Sequence, residues 1–242
     1  MIISLANQKG GTGKSTSAAA IASALRASGK KVLCIDAAPQ RNLSNILRVS
    51  TTAPGIVELL QGTPAENLIQ HPGEVDIIAG SVRLAGMSDI SPQALERCIA
   101  PVEKKYQYIV IDTDCALNAF LLMGIFASNM VLIPMLADIG SLLGINDLWN
   151  TVTTARNLGA DIKVAGAFFT QSNSRKTKAE KVMEDAIRKV CAGQGIPVYK
   201  TQIRRADAVR AAAAYGESIV AYDPASKPAM DYIDLLREIQ LI

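Results

Sequence analysis

The residues with most chemical content stand near the amino end, where Gln8-Lys9-Gly10-Gly11-Thr12-Gly13-Lys14-Ser15-Thr16 follows the apolar run Ile2-Ile3-Ser4-Leu5-Ala6 and leads into an alanine-rich stretch. A phosphate chain needs several backbone N–H groups turned inward. Glycines allow this by lacking a Cβ, and a helix N-terminus behind them adds its positive end. On this reading Lys9, Gly10, Gly11, Thr12, Gly13, Lys14, Ser15 and Thr16 cradle a nucleotide. Lys14 reaches the β/γ-phosphates and the Ser15 hydroxyl ligands Mg²⁺, so ATP and Mg²⁺ are the implied cofactors. The ordinary phosphate-loop pattern has glycine where Gln8 stands, so this is a variant form with an additional lysine, Lys9.

Carboxylates follow at the ends of two further apolar runs. Cys34-Ile35-Asp36-Ala37-Ala38-Pro39-Gln40 ends one, and Ile109-Val110-Ile111-Asp112-Thr113 ends another. A strand ending in aspartate serves equally as a helix cap or a metal ligand when taken alone. Paired with the glycine-rich loop, Asp112 reads as a Mg²⁺ ligand acting through water.

The elements that must position these groups alternate in kind. Apolar, β-branched runs recur near residues 2, 31, 75, 108, 130 and 162, separated by stretches with helical patterning. The helices are expected at Ser15 to Ala27, Pro92 to Lys104, Ala116 to Ala127, Leu142 to Asn157, Lys178 to Cys191 and Lys227 to Ile239, with a short one over Ala206 to Ala214. Strands too apolar to leave a face in water imply an α/β fold: a mostly parallel sheet flanked by helices on both faces, with ligands beyond the strands' carboxyl ends.

Composition bounds the rest. A chain of 242 residues that is 49% hydrophobic can bury one large core, and its glycines and prolines mark no linker, so one domain over residues 1–242 is expected. No run reaches the roughly 18 apolar residues that span a bilayer, and the opening has no secretory pattern, which implies a cytosolic protein. Cys34, Cys98, Cys115 and Cys191 lie far apart with only His71 as an imidazole, which reads as buried reduced thiols in preference to a zinc site. Net charge is +3, but Lys163 to Arg210 holds eleven Lys/Arg against four Asp/Glu. Arg175, Lys176, Lys178, Lys181, Arg204, Arg205 and Arg210 are the candidate contacts to DNA phosphates; the bland alternative is a solvated charged face.

The KGGTGKST segment resembles the ParA/MinD family of deviant Walker ATPases, within the wider P-loop NTPases of SIMIBI type, and the resemblance continues through most of the chain. It implies that Lys9 reaches across a homodimer to the partner's ATP. It also implies that the segment from Asp36 to Gln40 is the family's IDxDPQ motif with Ala38 in place of its second aspartate, the group that supports hydrolysis. Lys9, Lys14, Asp36 and the Ala38 position are thus the catalytic set, with slow turnover and a persistent ATP-bound dimer expected. Whether Ala38 arose by divergence or by engineering is open from the residues. The family usually continues past Asp112 with Pro-Pro; here Asp114-Cys115 stands, leaving open whether Asp114 adds an acidic group near the metal.

The resemblance further implies sequence-independent binding of double-stranded DNA, a nucleoid location, and a ParB-like or other adaptor linking the dimer to plasmid, chromosome or a protein body such as a carboxysome. With only a few residues before the phosphate loop, no helix-turn-helix is expected ahead of it. MinD-like membrane regulation is the alternative. The polar face of the last helix carries Asp231, Asp234 and Glu238 against Arg237, which suits docking on the core better than an anionic leaflet, so no membrane is expected.

Overall fold

The computed structural model describes residues 1–73 and 75–242. In chain order the strands are β1 (Ile2–Leu5), β2 (Val32–Ala37), β3 (Ile69–Gln70), β4 (Asp76–Ile78), β5 (Tyr108–Thr113), β6 (Met130–Met135) and β7 (Lys163–Phe169). The helices are α1 (Lys14–Ala27), α2 (Asn42–Ile46), α3 (Ile56–Leu60), α4 (Ala94–Glu103), α5 (Ala119–Phe126), α6 (Ile139–Asn157), α7 (Lys178–Gly193), α8 (Asp207–Tyr215), α9 (Ile219–Tyr222) and α10 (Lys227–Glu238). The sheet order is β3-β4-β2-β5-β1-β6-β7, with every pair parallel except β3 with β4.

Alternation along the strands divides the core between the two faces. Ile3, Leu5, Cys34 and Val110 join α1 and α10 on one side. Ile2, Leu33, Ile35, Ile109 and Ile111 join α3, α4 and α5 on the other, and Val131, Ile133 and Phe169 pack with α6 and α7. Because both faces are covered, the central strands carry apolar residues at nearly every position, which is why they read as continuous runs. The expected fold class is therefore the observed one.

Parallel register places the candidate carboxylates together. Asp36 lies beside Asp112, Ala37 beside Thr113, and Leu5 beside Asp112 on the opposite side of β5. All three chains leave the sheet at its carboxyl edge, where the phosphate loop begins.

Three short helices and one strand escaped the sequence reading. α2, α3 and α9 have five residues or fewer, too short for a helical period to register, and β3 is a two-residue antiparallel edge strand. Two helix starts lie three residues from expectation, the others within two, and in each of the two a cap decides. The Asp138 side chain accepts from Ser141 N at 2.9 Å and starts α6 at Ile139 instead of Leu142. The Asn118 side chain accepts from Phe120 N and Leu121 N, starting α5 at Ala119 instead of Ala116.

α10 is docked, as its charge pattern implied. Ala229, Tyr232, Leu235 and Leu236 are buried in the core beside α1, and the Tyr232 and Ser17 hydroxyls share a hydrogen bond of 2.9 Å. Its apolar face is thereby consumed by the protein itself. Among the described residues no helix is long and apolar enough to cross a membrane.

Candidate functional site

The phosphate loop is tied to the sheet through its carbonyls. Thr170 Oγ1 donates to Thr12 O at 2.8 Å, Gln171 Nε2 to Gly11 O at 2.8 Å, and Lys14 Nζ to Lys9 O at 3.2 Å. Asn7 anchors the entry: its Nδ2 donates to Pro134 O and its Oδ1 accepts from Lys9 N. With carbonyls engaged outward, the amides of the loop and of the first turn of α1 are left for a ligand; no side chain caps that helix among the described residues. Gly11 and Gly13 have φ of 76° and 83°, the left-handed region in which a side chain is strained, so the two glycines make the cradle's curvature possible.

The loop borders a cavity of about 390 Å³ lined by Gly10, Gly11, Lys14, Ser15, Ala38 and Asp114 among others. Lys14 is buried, and burial pushes its ammonium below the ordinary lysine range while Asp112, Cys115 and Asp114 oppose the shift. A desolvated cation facing a pocket attracts a multivalent anion strongly. Thr16 and Gly13 also line a second cavity of about 220 Å³, bounded by Gln171, Arg204, Arg205 and Tyr232. It shares Gly13, Thr16 and Gln171 with the first and has room for part of a nucleoside.

Asp112 is the strongest sign of a cation site. It is 1% exposed, and neither carboxylate oxygen has a hydrogen-bond partner among the described residues. Burial, then the neighbouring Asp36, push its pKa up to about 8; Ser15 and Lys14 stand near enough to oppose this, though Ser15 makes no hydrogen bond to it. An orphaned buried carboxylate costs free energy unless something outside the chain satisfies it. Oxygen donors from the Ser15 hydroxyl, which lines the cavity, and from Asp112, buried beside it, suit Mg²⁺, a hard ion that keeps several waters.

Asp36, placed in the catalytic set by resemblance, is held within its own turn. Its Oδ2 accepts from Ser44 N at 2.8 Å and Ser44 Oγ at 2.7 Å, and its Oδ1 from Ala38 N at 3.2 Å. Burial raises its pKa, with these donors opposing. Gly80 packs so closely that a Cβ there would lie 2.7 Å from Asp36 Cγ. Asp36 thus fastens the turn carrying Ala38 to α2 and is not among the residues lining the phosphate cavity. Ala38 does line it, 6% exposed, presenting a methyl group.

Lys9 lies back on its own chain. Its Nζ is ion-paired with Asp138, and its stem passes so close to Gly140 that a Cβ there would sit 2.9 Å from Lys9 Cε. Burial alone would raise the Asp138 carboxyl, but the Lys9 ammonium and Ser141 amide hold it below the usual range. Asp138 was missed in the sequence because a lone aspartate before a helix reads only as a cap. Asn42 and Asn45, which also line the cavity, were missed with α2.

The basic residues gather from two segments. A bridge joins Ser172 to Arg204, with Arg205 N donating to Ser172 O at 3.0 Å, so the loop bearing Arg175 and Lys176 adjoins the one bearing Arg204 and Arg205. They are not equally free. Arg204 is held by Asp231 through Nε and Nη2, Lys176 pairs with Glu184 at 2.5 Å, and Arg210 pairs with Asp207. Arg175, Lys178, Lys181 and Arg205 are exposed and form no ion pair among the described residues. Of the cysteines, Cys34 and Cys191 are buried and Cys98 and Cys115 half-buried.

Comparison with known proteins agrees with the motif and the topology. A family model described as an AAA domain matches residues 1–164. The sporulation initiation inhibitor protein Soj of Bacillus subtilis is 30% identical over 252 residues, spanning 98% of this chain and 97% of the relative. The chromosome-partitioning ATPase Soj of Treponema pallidum is 32% identical over 244 residues, spanning 96% and 94%. In fold, the ATP complex of an aspartate-to-alanine variant of Cyanothece McdA superposes with a TM-score of 0.89 at 20% identity, covering 100% of this chain and 96% of that one. With the variant phosphate loop, the orphaned Asp112 and these full-length relatives in hand, the chain is a member of the ParA/MinD family of deviant Walker ATPases.

Proposed function

We propose that the chain is a ParA-type ATPase that binds ATP and Mg²⁺, closes as a homodimer around the nucleotide, and in that state holds nonspecific double-stranded DNA to position or segregate a cargo. The observation that carries this reading is Asp112: a buried carboxylate with two unpartnered oxygens beside a glycine-shaped cradle is built for a metal-bound phosphate chain. When bound, Mg²⁺ supplies charge neutralisation at the β- and γ-phosphates. Lys14 and the loop amides bind the phosphates, Ser15 and Asp112 hold the ion, and the 220 Å³ cavity takes the base or ribose.

Dimerisation is supported by the surface around Lys9. Ile139 and Leu143, one turn apart at the start of α6, are 66% and 61% exposed, and Leu117 is 74% exposed. Lys9, which lies against Gly140 between them, is positioned to exchange Asp138 for a partner's phosphates. The four free cations Arg175, Lys178, Lys181 and Arg205 offer phosphate contacts without base readout, and a dimer doubles them. Release requires hydrolysis, stimulated by a ParB-like or other adaptor, and the methyl group of Ala38 makes the unstimulated rate slow. The protein then works in the cytoplasm on the nucleoid.

Titration calorimetry with ATP and Mg²⁺, paired with analytical ultracentrifugation in ATP, in ADP and without nucleotide, tests this. Micromolar or tighter ATP binding and an ATP-only dimer are expected. No affinity for ATP–Mg²⁺ would end the reading.

A further inference from the structure

The carboxylate absent from the end of β2 has a counterpart on the adjacent strand. β2 and β5 are parallel and end level with each other, Ala37 beside Thr113, so Ala38 and Asp114 are the first residues beyond the two neighbouring strands. Both line the cavity that also contains Lys14, Gly10 and Gly11. Resting on the ATPase reading above, we propose that Asp114 is a catalytic residue that takes the place of the missing aspartate, accepting a hydrogen bond from the attacking water and orienting it toward the γ-phosphorus.

The side chain is held for that task. Asp114 is 5% exposed; Oδ1 accepts from Cys115 N and Oδ2 from Asn118 Nδ2, each at 2.7 Å. Asn118 is itself immobilised, because its Oδ1 caps α5 through Phe120 N and Leu121 N. A carboxylate offers about four lone-pair sites, so two stay available for water after these bonds form. The same fixed geometry is what water positioning requires, since a flexible acceptor would forfeit the entropic gain.

In the step itself the water oxygen bonds to the γ-phosphorus while the bond from that phosphorus to the β–γ bridging oxygen breaks. The electron pair stays on ADP, and the water's protons pass to the released phosphate and to solvent. Asp114 orients and is not consumed. On this assignment, a chain carrying Ala38 still hydrolyses ATP.

Phosphate release and ATP–Mg²⁺ affinity are to be measured for the parent, Asp114→Asn, Asp114→Ser, Ala38→Asp and Ala38→Asp/Asp114→Asn. The two single Asp114 variants are expected to bind within about threefold of the parent and to lose turnover by about 10²-fold. With Ala38→Asp present, Asp114→Asn should cost no more than about twofold, because the carboxylate is back on β2. Unchanged turnover in both single variants, an equal loss in both backgrounds, or affinity falling in step with turnover overturns the assignment. So does a parent that binds ATP–Mg²⁺ without hydrolysing it, which leaves the binding reading standing. A parent without ATP affinity removes that reading itself.

Discussion

Lys9 of the phosphate loop is ion-paired with Asp138, the residue whose carboxylate also caps α6, so one side chain both starts a helix and holds the family's signature lysine within its own subunit. The pair is part-exposed, with Lys9 and Asp138 side chains 25% and 40% accessible. Such a pair contributes roughly 0.2–1 kcal/mol, small enough for a partner's triphosphate to outcompete. Asp138→Asn keeps an N-cap acceptor while removing the charge. The variant should fold with stability within about 0.5 kcal/mol of the parent and form the ATP-bound dimer up to about fivefold more tightly. Sedimentation in ATP over a concentration series checks it; a weaker dimer would mean that Asp138 serves the assembled state instead.

How much of this site was legible in the chain follows from where each residue's job is encoded. Gly11, Gly13, Lys14 and Ser15 fall within five successive residues, and their chemistry needs that closeness, so the loop could be read directly. Six of the seven strands showed because burial on both faces demands apolar residues throughout. Asp138 and Asn118 act through partners 129 and 4 residues away, so no local pattern marks their second roles. Asp36 shows the converse: the motif named it, yet only the fold reveals that Ser44 and Ala38 engage three of its roughly four lone-pair sites. Arg204 likewise counts as a free cation in sequence and becomes a partner of Asp231 in space.

The burial of Asp112 predicts a pH dependence of metal binding. Its pKa stands near 8 in the protein and near 4 in the unfolded chain, so the folded state binds a proton that the unfolded state has released between those values. Metal-free stability should therefore fall as pH rises from about 4 through 8. Mg²⁺ must displace that same proton, so Mg²⁺-dependent ATP affinity should increase from pH 6 to pH 8. Asp112→Asn separates the two effects: it should lose Mg²⁺-dependent binding yet melt higher than the metal-free parent, by a margin that widens as pH approaches 8. Melting curves at pH 6 and 8 check this, and a margin independent of pH would contradict it.

The division of the arginines predicts unlike phenotypes for adjacent residues. Arg205→Ala and Lys181→Ala remove exposed, unpaired cations. Each should weaken duplex binding by the ATP-bound protein uniformly across sequences and reduce the slope of log affinity against log salt by about 1. Arg204→Ala instead removes the guanidinium from Asp231, whose side chain is 9% exposed and keeps only the backbone N of residue 204, and should cost about 1–3 kcal/mol of stability. Fluorescence anisotropy with duplex DNA at several salt concentrations, beside chemical denaturation, distinguishes them.

The exposed apolar residues at the start of α6 supply a test of the dimer that leaves the nucleotide cradle intact. α6 turns Ser141, Gly144, Ile145 and Leu148 into the protein, while Ile139 and Leu143 project on the other side. Leu117 borders the same surface, since it lines a groove with Asp147, one turn beyond Leu143. Burying one such side chain contributes about 1.5–3 kcal/mol, so seating Ile139 and Leu143 against a second copy outweighs the Lys9 exchange that accompanies closure. Ile139→Glu with Leu143→Glu should therefore abolish the ATP-dependent dimer, a change of more than about 10²-fold in its dissociation constant, while ATP binding by the monomer stays within about threefold. Because both positions are exposed, monomer stability should change by less than about 0.5 kcal/mol. Loss of the dimer together with DNA binding, at unaltered ATP affinity, would place assembly upstream of DNA capture. Retention of the dimer would move the interface off this face of α6 and leave Lys9 without the route to a partner's phosphates that its position beside Gly140 provides.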